Sequence, residues 1–475
     1  MFYWLFVLGA GLSVRLYGLT SESLWLDEGY AILMARRSVM ETLKALPLDL
    51  HPPFYTLSLH TWMKFFGDSE FALRAFSVFF GVLLIPLVYR LTRHLFDTAT
   101  ARYAALFTSF SLFHIYYAQE ARPYTFFVLF ITLSFYSFVR LLESPDKKYQ
   151  IAYILSTIGM LYTHSFGVFT VFAQNVIFLL QLIRRRSQGV GFGRWICLQL
   201  CLGVLWSPWI FITLKFGSSM KDNWIARPGP KVLFEALRAF AGGTKLLIFS
   251  TALILWGFWD TFRKKQHDIV WPLVLWSALV LLAPFVVSLF WVPIFLPRYT
   301  IASSLVIFIL AGRGMAAVPH VLLRRALTAA FLFLCLTGIY QNEKRIDKEQ
   351  WREVLGVINT HGKERDLAII QSRGEDVFRY YLKNKQMEVQ NFPIMKDELA
   401  RVYSWDSVYV TDKNIHELND ISADKDRVWL VQSHVYDKDG MAIQRMKELF
   451  GPPTFFHEYQ GVVLSLYDRK SKSTA

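Results

Sequence analysis

Long apolar runs recur along most of this chain with little sequence between them. A helix that crosses a bilayer needs roughly 20 mostly apolar residues. Eleven such stretches can be laid out, near 1–19, 72–94, 100–117, 122–142, 150–163, 165–183, 195–215, 245–262, 269–291, 298–318 and 326–341. Of the 475 residues, 54% are hydrophobic and 16% aromatic, which leaves too little polar sequence to cover these runs in water. The expectation is an α-helical polytopic membrane protein with about eleven transmembrane helices. The fifth stretch is short, and its boundary with the sixth is placed at Tyr162-Thr163-His164-Ser165. The first run lacks a basic flank and a small-residue cleavage site, so it is expected to remain as a span.

The formal net charge of +14 raises the question of nucleic acid, and its distribution answers against it. Arg90, Arg93 and Arg102, then Lys147-Lys148, Arg184-Arg185-Arg186, Arg263-Lys264-Lys265 and Arg324-Arg325, all fall on one side if the first helix runs outward. By the positive-inside rule that side is cytoplasmic, so the basicity records topology. The opposite side receives a loop over about 20–70 with seven acids (Glu22, Asp27, Glu28, Glu41, Asp49, Asp68, Glu70) against four bases (Arg36, Arg37, Lys44, Lys64). Cys197, Cys201 and Cys335 lie inside expected spans and read as buried apolar residues, without disulfide or zinc spacing.

Near Asn342 the composition changes, dividing the chain into a membrane domain over 1–342 and a C-terminal domain over 343–475. The tail alternates strand-like segments, DLAII, DSVYV, DRVWLVQ and GVVLSLY, with helical ones such as EDVFRYYLKN and MAIQRMKELF. A small α/β domain is expected, outside the cytoplasm if the span count is eleven. In the loop over 20–70, WLDEGYAILMARR and PPFYTLSLHTWMKFF mix apolar and polar residues at helical spacing but are too short to span. Two interfacial helices are expected there, forming a platform over the mouth of the bundle.

Six features on the outer side carry polar chemistry, and each has a plainer reading. Asp27-Glu28 at a helix start would cap it, at typically 0.3–1 kcal/mol. His51 before Pro52-Pro53 reads as a solvated or packed histidine. Around Asp68-Ser69-Glu70, Ser69 or Asp68 would cap the next helix and Glu70 would pair with Arg74. Glu120 and Arg122 pack an acid and a base into a turn at membrane depth, where ionisable groups are costly unless paired or facing a wet cavity. His164 marks a break between apolar segments, and breaks are tolerated where they line a cavity. Arg298 in IFLPRYT could snorkel to headgroups or clamp a phosphate. All six map to one side, and that clustering points to a reaction between a lipid-carried anion and an acceptor from outside.

The segments LWLDEGY, HPPFYTLSLHTWMKFFGDSEFALRAFSVFFG, YYAQEARPYTF, YTHSFGVF and FLPRYT, in this order, resemble the bacterial relatives of the protein mannosyltransferase and aminoarabinose transferase families. These belong to the GT-C class of integral-membrane glycosyltransferases. The resemblance is strong over about 20–190 and orderly to 318; it reaches the class and not a substrate. It implies the GT-C fold and transfer of a monosaccharide, hexosyl or pentosyl, from a polyprenyl-phosphate donor to an acceptor hydroxyl on a glycan, lipid or protein. Transfer would be inverting, at a bacterial inner (cytoplasmic) membrane, on the face toward the periplasm or the outside. In the family an acid of the first loop's pair acts as base or orients the acceptor, which carries over to Asp27 with Glu28 beside it. Arg298, Tyr299 and Arg122 fall to the donor phosphate. Some members hold a divalent metal, and the corresponding metal or substrate-lining positions are His51, Glu70, Glu120 and His164.

This chemistry makes sense from the residues upward. A sugar hydroxyl is a poor nucleophile at neutral pH, and a positioned carboxylate that takes its proton contributes typically 10²- to 10⁴-fold. The leaving group is a phosphate, so a guanidinium where water is scarce stabilises the developing charge. No nucleotide cofactor is expected, since the donor carries none. Two rival readings are a transporter or flippase of lipid-linked sugars, which would show repeat symmetry between halves, and a scaffold whose acids only cap helices.

Overall fold

The computed structural model describes residues 2–46, 51–184, 189–216, 225–264, 267–371, 374–383, 386–392, 410–411, 414–433 and 440–469. The chain folds as two compact units. One holds residues 1–19 and 50–344, and the other holds residues 20–49 and 345–475.

The first unit is helical. Its principal helices run Phe2–Leu16, Pro53–Phe66, Glu70–Leu95, Thr98–Ser109, Leu112–Ala118, Tyr124–Glu143, Lys147–Thr163, Gly167–Ile183, Phe192–Phe216, Lys231–Ala241, Thr244–Arg263, His267–Phe290, Ala302–Ala317 and Val321–Glu343. A helix occupies every stretch read as a span. Length and apolar composition together qualify six helices to cross a membrane among the described residues, with three shorter apolar ones beside them. The count of eleven is therefore not reproduced by length alone. The third stretch differs in kind, because it is broken at Phe110 and Ser111 into two helices. Ser111 caps the second, its Oγ accepting from His114 N at 3.3 Å. The fully buried Arg15 closes the first, donating to the carbonyls of Thr108 and Ser109 at 3.2 and 2.8 Å. A cation at a helix C-terminus satisfies carbonyls that have no partner within the helix.

Two devices hold the helices where apolar packing alone would not fix their register. The first is Ala311-Gly312-Arg313-Gly314. A Cβ on Gly312 would meet Ala104 N at 2.8 Å, and one on Gly314 would overlap the Leu253 carbonyl. Small residues let backbones approach closely where lipid supplies no hydrophobic drive between helices. Between the glycines, Arg313 reaches Asp260 at 2.7 Å and Asp97 at 3.2 Å. Asp97 itself caps the helix Thr98–Ser109 through Thr100 N.

The second device is a polar network inside the apolar core. Tyr153 donates to Gln174, Gln174 to Ser134 and Gln199 to Tyr153, while Ser134 shares a hydrogen bond with Thr157. Asn175 donates to Gln199 and accepts from the Trp195 indole. These bonds tie four consecutive helices together, each at roughly 0.6 kcal/mol by membrane-protein precedent.

The helix Pro53–Phe66 appears where an interfacial helix is expected, with proline in its first turn. It is docked by aromatic contacts. Phe54 lies 5.1 Å from Phe126, Trp62 lies 5.6 Å from Phe76, and the Trp62 indole donates to Ala72 O at 2.8 Å.

The second unit is built on a mixed five-stranded sheet of order β2-β1-β3-β5-β4. Its strands are β1 (Leu367–Gln371), β2 (Glu388–Phe392), β3 (Arg427–Gln432), β4 (Phe455–Tyr459) and β5 (Val462–Asp468). β1 pairs in parallel with β2 and β3, while β5 pairs antiparallel with β3 and β4. β1 is buried at every position, as a parallel strand covered on both faces must be. Three of the four strand-like segments become β1, β3 and β5, and DSVYV lies almost wholly outside the described residues. The helices Glu375–Tyr381 and Met441–Phe450 form where the pattern placed helices. β2 and β4 are edge strands that escape a reading by hydrophobicity, because EVQNF is mostly polar and FFHEY, aromatic at three positions, has no apolar alternation.

Candidate functional site

In the helical unit, the candidate residues gather around three interruptions of regular helix. The turn Gln119–Pro123 separates two helices, and its geometry comes from hydrogen bonds at both ends. Gln119 Nε2 donates to Tyr17 O at 2.6 Å, capping the first helix of the chain, and Ser77 Oγ donates to Arg122 O at 3.3 Å. Within the turn Arg122 N donates to Glu120 O at 2.8 Å, and both side chains are buried.

The second interruption is at His164, where the Phe166 N–H donates to Nδ1 at 3.2 Å. An accepting Nδ1 leaves a neutral imidazole with its proton on Nε2. The third is a one-turn 3-10 helix, Pro297–Thr300, which presents Arg298 and Tyr299, both half-buried.

Aromatic rings join these three places. The Tyr299 ring lies 4.9 Å from His164 and 4.9 Å from Phe166, and His164 lies 5.0 Å from Phe127. Tyr124 lies 6.4 Å from Tyr299 and 4.8 Å from Tyr117. The Arg298 guanidinium sits 5.5 Å from the centre of the Tyr299 ring. Charge is concentrated in the same place: His164 lies in the fields of His51, Arg122 and Arg298, and Tyr117 lies in those of Glu120 and Arg298. Such a gathering of cationic groups within aromatic walls suits an anion with an apolar body.

The structure thus brings together His51, Glu120, Arg122, His164, Arg298 and Tyr299. Glu70 opens the helix Glu70–Leu95, whose cap is Ser69, and none of the contacts just described involves it. Among the described residues, no three of His, Cys, Asp or Glu form a group that could hold a metal ion. Among the described residues His51, Glu70, Glu120 and His164 therefore form no protein-built metal cage. Tyr117, Tyr124 and Phe166 escape a reading that looks for charge, although Tyr117 and Tyr124 flank the same QEARP turn.

Asp27 and Glu28 belong to the second unit and differ sharply from each other. They are the second and third residues of the helix Leu26–Arg36. Glu28 is fully buried; its Oε2 lies 3.4 Å from the Trp25 N–H and 3.7 Å from Lys348 Nζ, a lysine that is buried too. Gly29 follows because the helix presses onto Glu375–Tyr381, where a Cβ would overlap the Val377 side chain. Glu28 thus serves the fold as helix cap and buried ion pair. Asp27, about 100° around the helix, stays half-exposed.

Residues 50–211 match the family model described as dolichyl-phosphate-mannose-protein mannosyltransferase. A sequence search of curated proteins finds no match. Among solved structures, ArnT from Cupriavidus metallidurans in the apo state aligns over 98% of both chains, with a TM-score of 0.67 at 14% identity. The same protein bound to undecaprenyl phosphate aligns over 97% of both chains, with a TM-score of 0.65. The oligosaccharyltransferase of Archaeoglobus fulgidus aligns over 90% of this chain and 68% of its own, with a TM-score of 0.52 at 12% identity. The fold is that of ArnT over nearly the whole length, the match to the mannosyltransferase model is confined to residues 50–211, and the apolar helices make the chain a multi-pass membrane protein.

Proposed function

We propose that this GT-C relative is a glycosyltransferase that takes a monosaccharide from a polyprenyl-phosphate donor and passes it to an acceptor hydroxyl, with inversion at the anomeric carbon. The proposal places it in a bacterial inner membrane, acting on the periplasmic side. The observation that carries this reading is the Arg298 turn: a guanidinium held against Tyr299, with Arg122 and His51 adding to the field at His164, in a helical unit whose fold matches ArnT.

In this mechanism the guanidinium of Arg298, supported by Arg122, binds the donor phosphate and stabilises it as it leaves. The aromatic walls hold the sugar and exclude water. The Asp27 carboxylate accepts the proton of the acceptor hydroxyl. As the new C–O bond forms, the bond from the anomeric carbon to the phosphate oxygen breaks and its electron pair leaves with the polyprenyl phosphate.

The test is mass analysis of cell-envelope glycans from a deletion strain complemented with Asp27→Asn or with the unaltered chain. Loss of one glycan species in the deletion strain, restored only by the unaltered chain, supports transfer. A flippase would survive loss of Asp27 and would move a lipid-linked sugar across vesicles with no acceptor present, and that result would overturn the proposal.

A further inference from the structure

The segment that carries Asp27 is laced to the residues that open the C-terminal part of the chain, within one compact unit. Glu22 Oε1 accepts from the backbone N–H of Asp347 at 2.6 Å and of Lys348 at 3.0 Å. Arg352 reaches back to the carbonyls of Thr20 and Glu22 at 3.1 and 3.0 Å. Ser23 Oγ donates to the Glu349 carbonyl and accepts from Trp351 N. Leu24 N donates to the Tyr381 hydroxyl at 2.8 Å.

The lacing tightens at the start of the acidic helix. Leu26 N–H, a first-turn donor with no partner inside its own helix, donates to Glu349 Oε2 at 3.3 Å, and the same oxygen accepts from the Trp351 indole. Two residues further on, Glu28 meets Lys348. One residue beyond that, Gly29 is pressed onto Val377. Asp27 therefore stands between two neighbours that are each held by a residue of the C-terminal segment, and its own side chain remains half-exposed.

We infer that Lys348 and Glu349 are positioning residues for Asp27: the C-terminal domain sets the place of the general base by gripping Leu26 and Glu28 on either side of it. The inference rests on the reading of Asp27 as the base. It gives the C-terminal domain a part in transfer that does not require it to touch donor or acceptor. An acid misplaced by about 1 Å loses on the order of 100-fold in rate, which is the scale the grip has to protect.

The experiment uses the full chain in proteoliposomes, supplied with undecaprenyl-phosphate hexoses or pentoses and an envelope extract from a deletion strain. It compares the transfer rate with the affinity for undecaprenyl phosphate. Lys348→Met and Glu349→Ala are expected to lower the maximal rate by about 100-fold with donor affinity within about twofold, and Lys348→Arg is expected to regain most of the rate. Since Lys348→Met leaves Glu28 buried without its partner, the double variant Glu28→Gln, Lys348→Met provides a neutral pair that tests the same grip if the single variant does not fold. A folded Lys348→Met or double variant that transfers at full rate, beside an inactive Asp27→Asn, overturns the positioning role and leaves the transferase reading standing. A fully active Asp27→Asn overturns the reading on which the inference rests.

Discussion

Arg313 and Arg298 lie on adjoining segments of the helical unit and put the same guanidinium to different use. Arg313 is buried on a regular helix between two glycines that draw neighbouring backbones close, and Asp97, Asp260 and Thr261 accept its N–H groups. Arg298 is half-buried on a single 3-10 turn opened by a proline, against the Tyr299 ring and near other cationic groups. The first arrangement consumes the charge in holding three helices. The second sets the guanidinium in an aromatic wall at an interruption of regular helix, in a place that also gathers Glu120, Arg122 and His164. Adjacent residues of the second unit repeat the contrast: Glu28 is buried against Lys348, and Asp27 is left half-exposed.

This contrast predicts different failures. Gly314→Leu should have the largest effect, because its side chain would occupy the space of the Leu253 backbone. The expected outcome is loss of folded protein from the membrane fraction, seen by size-exclusion chromatography in detergent. Arg313→Met removes the buried partner of Asp260, which keeps Lys264 at 3.0 Å, and should lower stability by about 2 kcal/mol, the scale of a hydrogen bond to a charged group, as read from thermal unfolding; any residual folded protein should still bind undecaprenyl phosphate. Arg298→Ala is expected to weaken undecaprenyl phosphate binding by about tenfold, the scale of one hydrogen bond to a charged group. Unchanged binding would remove Arg298 from the phosphate site.

The smallest expected effect is at the helix Val39–Ala45, where Ser38 and Glu41 form a capping box. Hydrogen bonds from the Ser38 hydroxyl and then its backbone N–H hold the Glu41 carboxyl below the usual carboxylate range. The stabilisation is present above the ordinary carboxylate pKa and lost as pH falls through the lowered value. Ser38→Ala should flatten that acid-side loss in hydrogen exchange of this helix, with transfer unaffected.

Much of the helical architecture was legible because apolar runs of spanning length have few alternatives to being helices in lipid. The break at Phe110-Ser111 was not, since it depends on Arg15, which approaches Ser109 from a distant part of the sequence. The edge strands β2 and β4 were hidden because neither EVQNF nor FFHEY alternates apolar with polar residues. At the site, clustering on one side of the membrane singled out His51, Glu120, Arg122, His164 and Arg298 together with Asp27, Glu28 and Glu70, while Tyr299 came only with the resemblance. Charge alone could not separate Asp27 from Glu28. That distinction rests on Lys348, more than three hundred residues away in sequence.

The central claim is that Asp27 takes a proton during sugar transfer, and Asp27→Asn tests it most directly. In proteoliposomes charged with an undecaprenyl-phosphate sugar that the unaltered chain turns over, transfer should fall by about 10²- to 10⁴-fold, with undecaprenyl phosphate binding and expression preserved. Transfer at the unaltered rate in that variant would contradict the account.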